Sequence, residues 1–303
     1  MSSSQTLCRN VSGVLLLDKA VGISSNNALQ QVRRLYHANK AGHTGVLDPL
    51  ASGLLPVCFG EATKFAQYLL DADKAYIATL KLGEATDTAD AEGKIIKRCD
   101  YLPSYDEFQS SCMAFMGDIK QIPPMYSAIK YQGRALYDYA RSGIEIERTA
   151  RDVHIHNIQI MSFTLPEVVL SVKCSKGTYI RTLAEDIADH ANTCAHLTGL
   201  RRINTAGFDI KDAYQFDFLS KIDIEEMDKL LLPPDILVAH LPEIYLNSSQ
   251  VERLQRGQVV DLLGNCDIIN VPRIYSDEGR FIGLGKLDGN HLRALRLMAC
   301  GSR

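Results

Sequence analysis

Asp48 is the residue whose neighbours most strongly suggest chemistry. It stands in Gly42-His43-Thr44-Gly45-Val46-Leu47-Asp48-Pro49-Leu50-Ala51-Ser52-Gly53, a stretch with three glycines, one imidazole and one carboxylate. Glycine allows strained backbone paths and close approach to a ligand. Pro49 biases Asp48 toward extended backbone. A lone ionised carboxylate can act as a nucleophile or stabilise positive charge at a reacting carbon. The bland alternative is a tight turn in which Asp48 caps a helix or closes an Asx-turn.

Two further blocks could supply partners. Residues 74–83 alternate in polarity, placing Tyr76 on a strand, and Asp87, Asp90 and Glu92 follow. Those acids lack the spacing of a calcium loop, so solvated loop acids are the expectation and no metal is assigned. Farther on, Gly177-Thr178 enters a helical pattern, with Thr178 as the expected N-cap. Arg181 then falls in the first turn, where a cation opposes the helix dipole. Its guanidinium either faces solvent or holds a carboxylate and keeps it ionised. His154 and His156 alternate on one strand face and read as a surface pair. The spacing of Gly283, Gly285 and Gly289 misses the dinucleotide fingerprint and suits hairpins. There is no P-loop, no Gly-x-Ser-x-Gly and no His-Glu-x-x-His, so the usual signatures of a kinase, serine hydrolase or dehydrogenase are missing.

Elements must hold these residues. Strands are expected at 11–18, 54–59, 74–83, 151–164, 168–174 and 197–203, and helices at 26–37, 62–70, 105–116, 135–141 and 179–192. The order is irregular, which predicts an α+β domain around an antiparallel or mixed sheet. Pro233, Pro234 and Pro242 mark a linker-like stretch, after which the texture changes. A short helix at 250–256 precedes short strands at 259–263, 268–271, 273–275, 281–287 and 292–298, spaced by Gly, Asn and Asp. That pattern predicts a small β-barrel. The expected division is a catalytic domain at 1–246 and a C-terminal domain at 247–303.

Composition narrows the class. With 303 residues, 46% hydrophobic and 23% charged, the chain reads as globular. No apolar run approaches a membrane span and residues 1–13 lack a signal-peptide pattern, so a cytoplasmic location is expected. The eight scattered cysteines form no Cys-x-x-Cys pair and are expected to be free thiols. A net charge of −3 is not the footprint of a basic nucleic-acid binder, although charge can segregate into one cleft.

Taken together, in this order, the blocks resemble the TruB family of tRNA pseudouridine-55 synthases. The resemblance also rests on Leu15-Leu16-Leu17-Asp18-Lys19 with Gly22-Ile23-Ser24-Ser25, on Pro123-Pro124-Met125-Tyr126-Ser127-Ala128-Ile129-Lys130, on Gly133-Arg134-Ala135-Leu136-Tyr137 and on His196-Leu197-Thr198-Gly199-Leu200-Arg201-Arg202. It spans roughly residues 13–202, and the tail is similar to the family's small RNA-binding PUA domain. Val46, Ser52 and Ile203 depart from the threonine more often found at those places. The resemblance implies that Asp48 is the essential aspartate, Tyr76 the tyrosine that stacks on the target base and takes the final proton, and Arg181 the arginine paired with the aspartate. It implies further that Tyr179 and Leu200 line the uridine pocket, that His43 keeps the target flipped, and that Lys19 and Lys64 contact RNA or the active site. The implied partner is the T-arm stem-loop of tRNA, with no cofactor, no membrane and a monomeric enzyme.

The chemistry suits these residues. The C1′–N1 bond breaks, the uracil turns, and a C1′–C5 bond forms, with no redox step and no net hydrolysis. The base must leave its stack first. Asp48 acts either by adding to uracil C6 or at the sugar, and both remain open at this point. Three other readings stand beside this one: a non-catalytic RNA-binding or RNA-folding protein, a synthase for another uridine, and a sugar hydrolase whose second acid is Asp87, Asp90 or Glu185.

Overall fold

The computed structural model describes residues 8–262 and 271–299. Its centre is a ten-stranded mixed sheet. The main path runs Tyr214–Gln215, Gly13–Lys19, Ala51–Phe59, Ala195–Thr205, Lys74–Leu82, Glu167–Cys174, Arg151–Thr164, Gly117–Gln121. Ala41–His43 pairs with Ala51–Phe59, and Phe208–Asp209 with Ala195–Thr205. Most neighbours are antiparallel. The two parallel pairs are Gly13–Lys19 with Tyr214–Gln215 and Ala51–Phe59 with Ala195–Thr205.

Both faces of the sheet are covered, which explains the continuous apolar runs at its centre. Along Gly13–Lys19, Leu15 and Leu17 enter one core cluster while Val14 and Leu16 enter another. The first cluster is closed by the helices Ser25–Leu35, Tyr105–Ala114 and Ile180–His190. Ser24 caps the first of these by accepting from the Asn27 amide, and Ser104 with Glu107 forms a capping box on the second. Leu136–Arg141 is also helical, as expected.

The second cluster receives a different element from the one the sequence predicts. Residues 62–70 form two 3-10 turns, Gly60–Lys64 and Ala66–Leu69, instead of one α-helix. Side chains three apart eclipse in that geometry. Ala62 and Phe65 therefore face the same core, where Phe65 meets Phe281 of the C-terminal unit edge-on at 5.3 Å.

The C-terminal unit is a curled five-stranded half-barrel ordered Glu243–Leu246, Arg273–Ser276, Phe281–Asp288, His291–Leu297, Val260–Asp261. The helix Ser248–Gln255 packs on its own core of Leu246, Val251, Leu254, Ile274 and Leu292. Among the described residues its strand order has two free edges, so the small barrel expected from sequence is a half-barrel. Glu243–Leu246, read from sequence as the end of the linker, pairs in parallel with Arg273–Ser276 and belongs to this sheet. The strand expected at 259–263 is only Val260–Asp261 among the described residues, and the one expected at 268–271 lies almost wholly outside them.

Gly53 marks the tightest crossing in the sheet. Its φ is +101°, and a Cβ built on it would lie 2.3 Å from the Arg202 carbonyl oxygen. Gly53→Ala should therefore cost at least roughly 1–3 kcal/mol for the backbone conformation alone. Thermal unfolding should show the midpoint falling by several degrees, about 2–4 °C per kcal/mol for a chain of this order of size. An unchanged midpoint would contradict this packing.

Candidate active site

The loop between Ala41–His43 and Ala51–Phe59 carries Asp48. It is fastened at several points. The Thr44 amide donates to the Pro56 carbonyl at 3.1 Å, and the Pro49 carbonyl accepts from the Gly22 amide at 2.8 Å. Beside Asp48, the Ser25 hydroxyl accepts from the Leu47 amide at 2.7 Å and donates to the Leu47 carbonyl at 2.9 Å. Ser25 is buried; in sequence it belongs to the block Gly22-Ile23-Ser24-Ser25 and to the start of a helix, with no role of its own assigned. Its double contact makes it a positioning residue that the sequence pattern did not reveal.

Arg181 approaches Asp48 from the first turn of Ile180–His190. Its Nε lies 3.1 Å from the Asp48 Oδ2, although the two are not aligned as a hydrogen bond. The rest of the guanidinium is committed elsewhere. Nη1 donates to the Thr88 carbonyl at 3.0 Å and lies 3.6 Å from the Asp90 Oδ2, and Nη2 donates to the Tyr126 carbonyl at 2.6 Å. The solvent-facing alternative for Arg181 is thereby removed, since its side chain is only 5% exposed. Asp90 is no solvated loop acid either. It is buried, and its Oδ1 accepts from the Thr88 hydroxyl at 2.6 Å and the Glu92 amide at 3.1 Å. Its signal in the sequence was its place after the Tyr76 strand, in a loop otherwise as polar as any surface turn.

Thr178 does not cap this helix. Its hydroxyl donates to the Ser175 carbonyl, and Tyr179 is the N-cap, without a side-chain bond. The buried carboxamide of Gln121 holds Tyr179 instead, accepting from its amide at 2.7 Å and donating to its carbonyl at 3.0 Å. Gln121 is a second positioning residue with no distinctive sequence context.

Asp48 and Arg181 lie between two clefts. One, of about 630 Å³, is walled by Tyr76, Tyr179, Leu200, Lys74 and Arg202. The other, of about 510 Å³, contains His43, Tyr126, Tyr137 and Arg141. The structure thus gathers Asp48, Tyr76, Arg181, Tyr179, Leu200 and His43 around one centre. The two lysines are placed differently. Lys19 is fully buried and its ammonium donates to the carbonyls of Ala20 at 2.9 Å and Ile23 at 2.7 Å. Lys64 bonds Glu61 at 2.6 Å and the Leu297 carbonyl at 3.0 Å, which ties it to the C-terminal unit. The three His154, His156 and Lys176 side chains pair with Asp118, Asp73 and Asp71 respectively. Among the described residues no group of three or more His, Cys, Asp or Glu side chains is placed to hold a metal ion. The free thiols of Cys58, Cys112, Cys174 and Cys194 are buried, while Cys8 is exposed and Cys99 partly so.

Electrostatics at the centre are opposed. Burial pushes the Asp48 carboxyl up, Arg181 and Lys19 pull it down, and Asp90 pushes it up again. Burial lowers Lys19 to about 8 despite the pull of Asp48. Burial also lowers His43, which keeps its imidazole neutral at neutral pH, and raises the phenols of Tyr76 and Tyr179.

A model of the TruB family pseudouridylate synthase N-terminal domain matches residues 33–180, and one of the pseudouridine synthase II TruB C-terminal domain matches residues 242–298. Over 292 residues the chain is 56% identical to tRNA pseudouridine synthase B of Neisseria gonorrhoeae strain NCCP11945, covering 96% of this chain and 95% of that one. The chain belongs to the TruB family of pseudouridylate synthases. It is also 46% identical over 301 residues to tRNA pseudouridine synthase B of Chromobacterium violaceum, with 99% and 98% of the two chains covered. Among solved structures, a chain of a Cbf5-Nop10-Gar1 complex superposes with a TM-score of 0.70 at 25% identity, covering 94% of this chain and 84% of that one. The pseudouridine-synthase fold inferred from the sequence motifs is therefore the fold observed.

The opposed charges around Asp48 make a signed prediction for this TruB-family site. If ionised Asp48 is the active form, the rate falls as pH drops through a carboxyl pKa above the ordinary aspartate value. Arg181→Met removes a charge that favours the ionised form, so the acidic limb should move to higher pH. Asp90→Asn removes a charge that disfavours it, so the limb should move to lower pH. Single-turnover rates across pH check both, and limbs moving together or not at all would exclude this charge balance.

Proposed function

We propose that this chain isomerises uridine 55 in the T loop of tRNA to pseudouridine, with Asp48 as the catalytic residue and no cofactor. The observation that carries this reading is a carboxylate held by a buried guanidinium between two clefts, one of them walled by two tyrosines. The relatives named tRNA pseudouridine synthase B support the tRNA substrate.

Each residue has a part. The target uracil, once flipped out, enters the cleft of Tyr76, Tyr179 and Leu200. Stacking on an aromatic ring contributes roughly 1–3 kcal/mol per base. Asp48 acts on the base or at the sugar while C1′–N1 breaks, and Arg181 keeps it ionised. After C1′–C5 forms, the C5 proton leaves and N1 gains a proton, so the reaction is balanced without an outside reactant. Tyr76, stacked on the base, is a neutral phenol and takes the departing C5 proton while passing its own hydroxyl hydrogen to N1 or to solvent. His43, neutral and facing the other cleft, holds the space vacated by the flipped nucleotide. Lys19 acts from below by bracing the turn that meets Pro49 and by favouring the Asp48 anion. Lys64 acts at the joint between the two units.

The substrate element is the T-arm stem-loop, read mainly by its shape and phosphates, with the C-terminal PUA-like unit touching the distal acceptor end. We place the boundary between the units ahead of Glu243, four residues earlier than the sequence pattern suggested, because that residue opens a strand of the second sheet. The enzyme works as a monomer in the cytoplasm. Among the described residues no helix is long and apolar enough to cross a membrane.

The decisive assay is tritium release from tRNA transcript labelled at uridine C5. Wild type should release tritium, mapped to the T loop, while Asp48→Asn should lose on the order of 10⁴-fold or more in rate and still bind tRNA. Release by Asp48→Asn at the wild-type rate would sink the catalytic assignment, and release mapped to another loop would sink the substrate. The logarithm of the binding constant should also fall linearly with the logarithm of salt concentration, since each phosphate contact releases counterions. A titration from low to moderate salt with unchanged affinity would show that phosphates are not the grip.

A further inference from the structure

Arg202 closes the block at 196–202, and its place in the fold goes beyond anything that block implies. The strand Ala195–Thr205 lies between the strand that follows the Asp48 loop and the strand that carries Tyr76. In that register the Arg202 backbone is opposite Gly53 on one side and Tyr76 on the other. Its side chain is buried, with the residue 1% exposed. Nε donates to the Leu54 carbonyl at 2.7 Å, and Nη1 reaches the Val46 carbonyl at 3.5 Å. A Cβ on Gly45 would lie 3.4 Å from Nη1, so the glycine lets the loop settle on the guanidinium. Arg202 is paired across the sheet with Tyr76 and lines the same cleft, and its charge opposes the rise that burial imposes on that phenol. Nη2 is buried without a hydrogen-bond partner, and Arg202 lines the cleft of Tyr76 and Tyr179.

A buried cation with an unused donor is costly unless it does something a neutral residue could not. Guanidinium donates and never accepts. Toward such a group the Tyr76 oxygen can act only as an acceptor. The Val46 and Leu54 carbonyls, one on each side of Asp48, are held by the same planar group. We propose that Arg202 is a positioning residue for the isomerisation, fixing the Asp48 loop and the Tyr76 hydroxyl in one frame. The proposal rests on the uridine-isomerase reading given above.

Wild type, Arg202→Met and Arg202→Lys are compared by single-turnover tritium release from C5-labelled tRNA, by tRNA affinity, and by thermal unfolding. Release by wild type tests the reaction itself and is scored apart from the variants. With wild type active, Arg202→Met should lose on the order of 10²-fold in single-turnover rate while its dissociation constant for tRNA stays within about 3-fold. Arg202→Lys keeps the charge and loses the planar fork, and should recover about a tenth of the wild-type rate or more if it folds like wild type. Rate and affinity falling together in a variant with a native unfolding midpoint would overturn the proposal. So would an Arg202→Met rate equal to wild type, or an Arg202→Lys rate no better than that of Arg202→Met. Should Arg202→Met fail to fold, the Arg202→Lys rate and affinity decide alone: a reduced rate at unchanged affinity supports the positioning role, and equal losses in both overturn it.

Discussion

The contact between Arg181 and Asp48 is the constraint to which the rest of the molecule answers. A carboxylate placed against two tyrosines and a leucine loses water and tends to take up a proton. A guanidinium beside it opposes that tendency, but the guanidinium must itself be buried. It carries five N–H donors, and every unsatisfied one is expensive in a cleft. Arg181 meets this by drawing on the Thr88 carbonyl, the Tyr126 carbonyl and the Asp90 carboxylate. One ion contact thereby dictates that the loop after the Tyr76 strand and the segment after Pro124 converge on the first turn of Ile180–His190.

The sheet makes that convergence possible because its order in space departs from its order in sequence. Ala195–Thr205 inserts between Ala51–Phe59 and Lys74–Leu82, and so brings residues near positions 50, 76 and 200 side by side. Helix Ile180–His190 immediately precedes that strand and packs on it, which delivers Arg181 to the same end. Covering both sheet faces with apolar clusters then fixes the register, since a one-residue slip would turn each strand's core residues to the wrong cluster. The C-terminal unit adds to the second of these clusters through Phe281 and Leu284, and its last strand is tied to Lys64.

The parts legible in the sequence were those with a strong period or an unusual density of special residues. Alternation marked Lys74–Leu82 and Arg151–Thr164, three-four spacing marked Ile180–His190, and the glycine-rich block marked the Asp48 loop. What was hidden had no local signature. A 3-10 turn and an α-helix share apolar spacing over so few residues, so 62–70 read as one helix. Asp90 looks like any loop acid until Arg181 is seen against it. Ser25, Gln121 and Arg202 work through backbone carbonyls and amides of distant segments; Ser25 and Arg202 stand in recognisable blocks, but a hydrogen bond of that kind leaves no sign along the chain of what the residue holds. For Lys19 and Lys64 the motifs imply contact with RNA or the active site; in the fold the Lys19 ammonium bonds two carbonyls and lies within electrostatic reach of Asp48, while that of Lys64 bonds Glu61 and the Leu297 carbonyl.

The form of the central ion contact also suits the chemistry. A two-point fork between Arg181 and Asp48 would satisfy both carboxylate oxygens and leave neither for a substrate. Here the contact is a single, poorly aligned approach of Nε to Oδ2. Arg181 is shared with Asp90, which holds the guanidinium off the tight geometry and also pushes the Asp48 carboxyl up. Asp48 is therefore paired without being fully engaged, and it remains about a third exposed in a site where its partner arginine is almost wholly covered. A carboxylate held that way keeps an oxygen free toward the cleft, which is what the proposed isomerisation asks of Asp48.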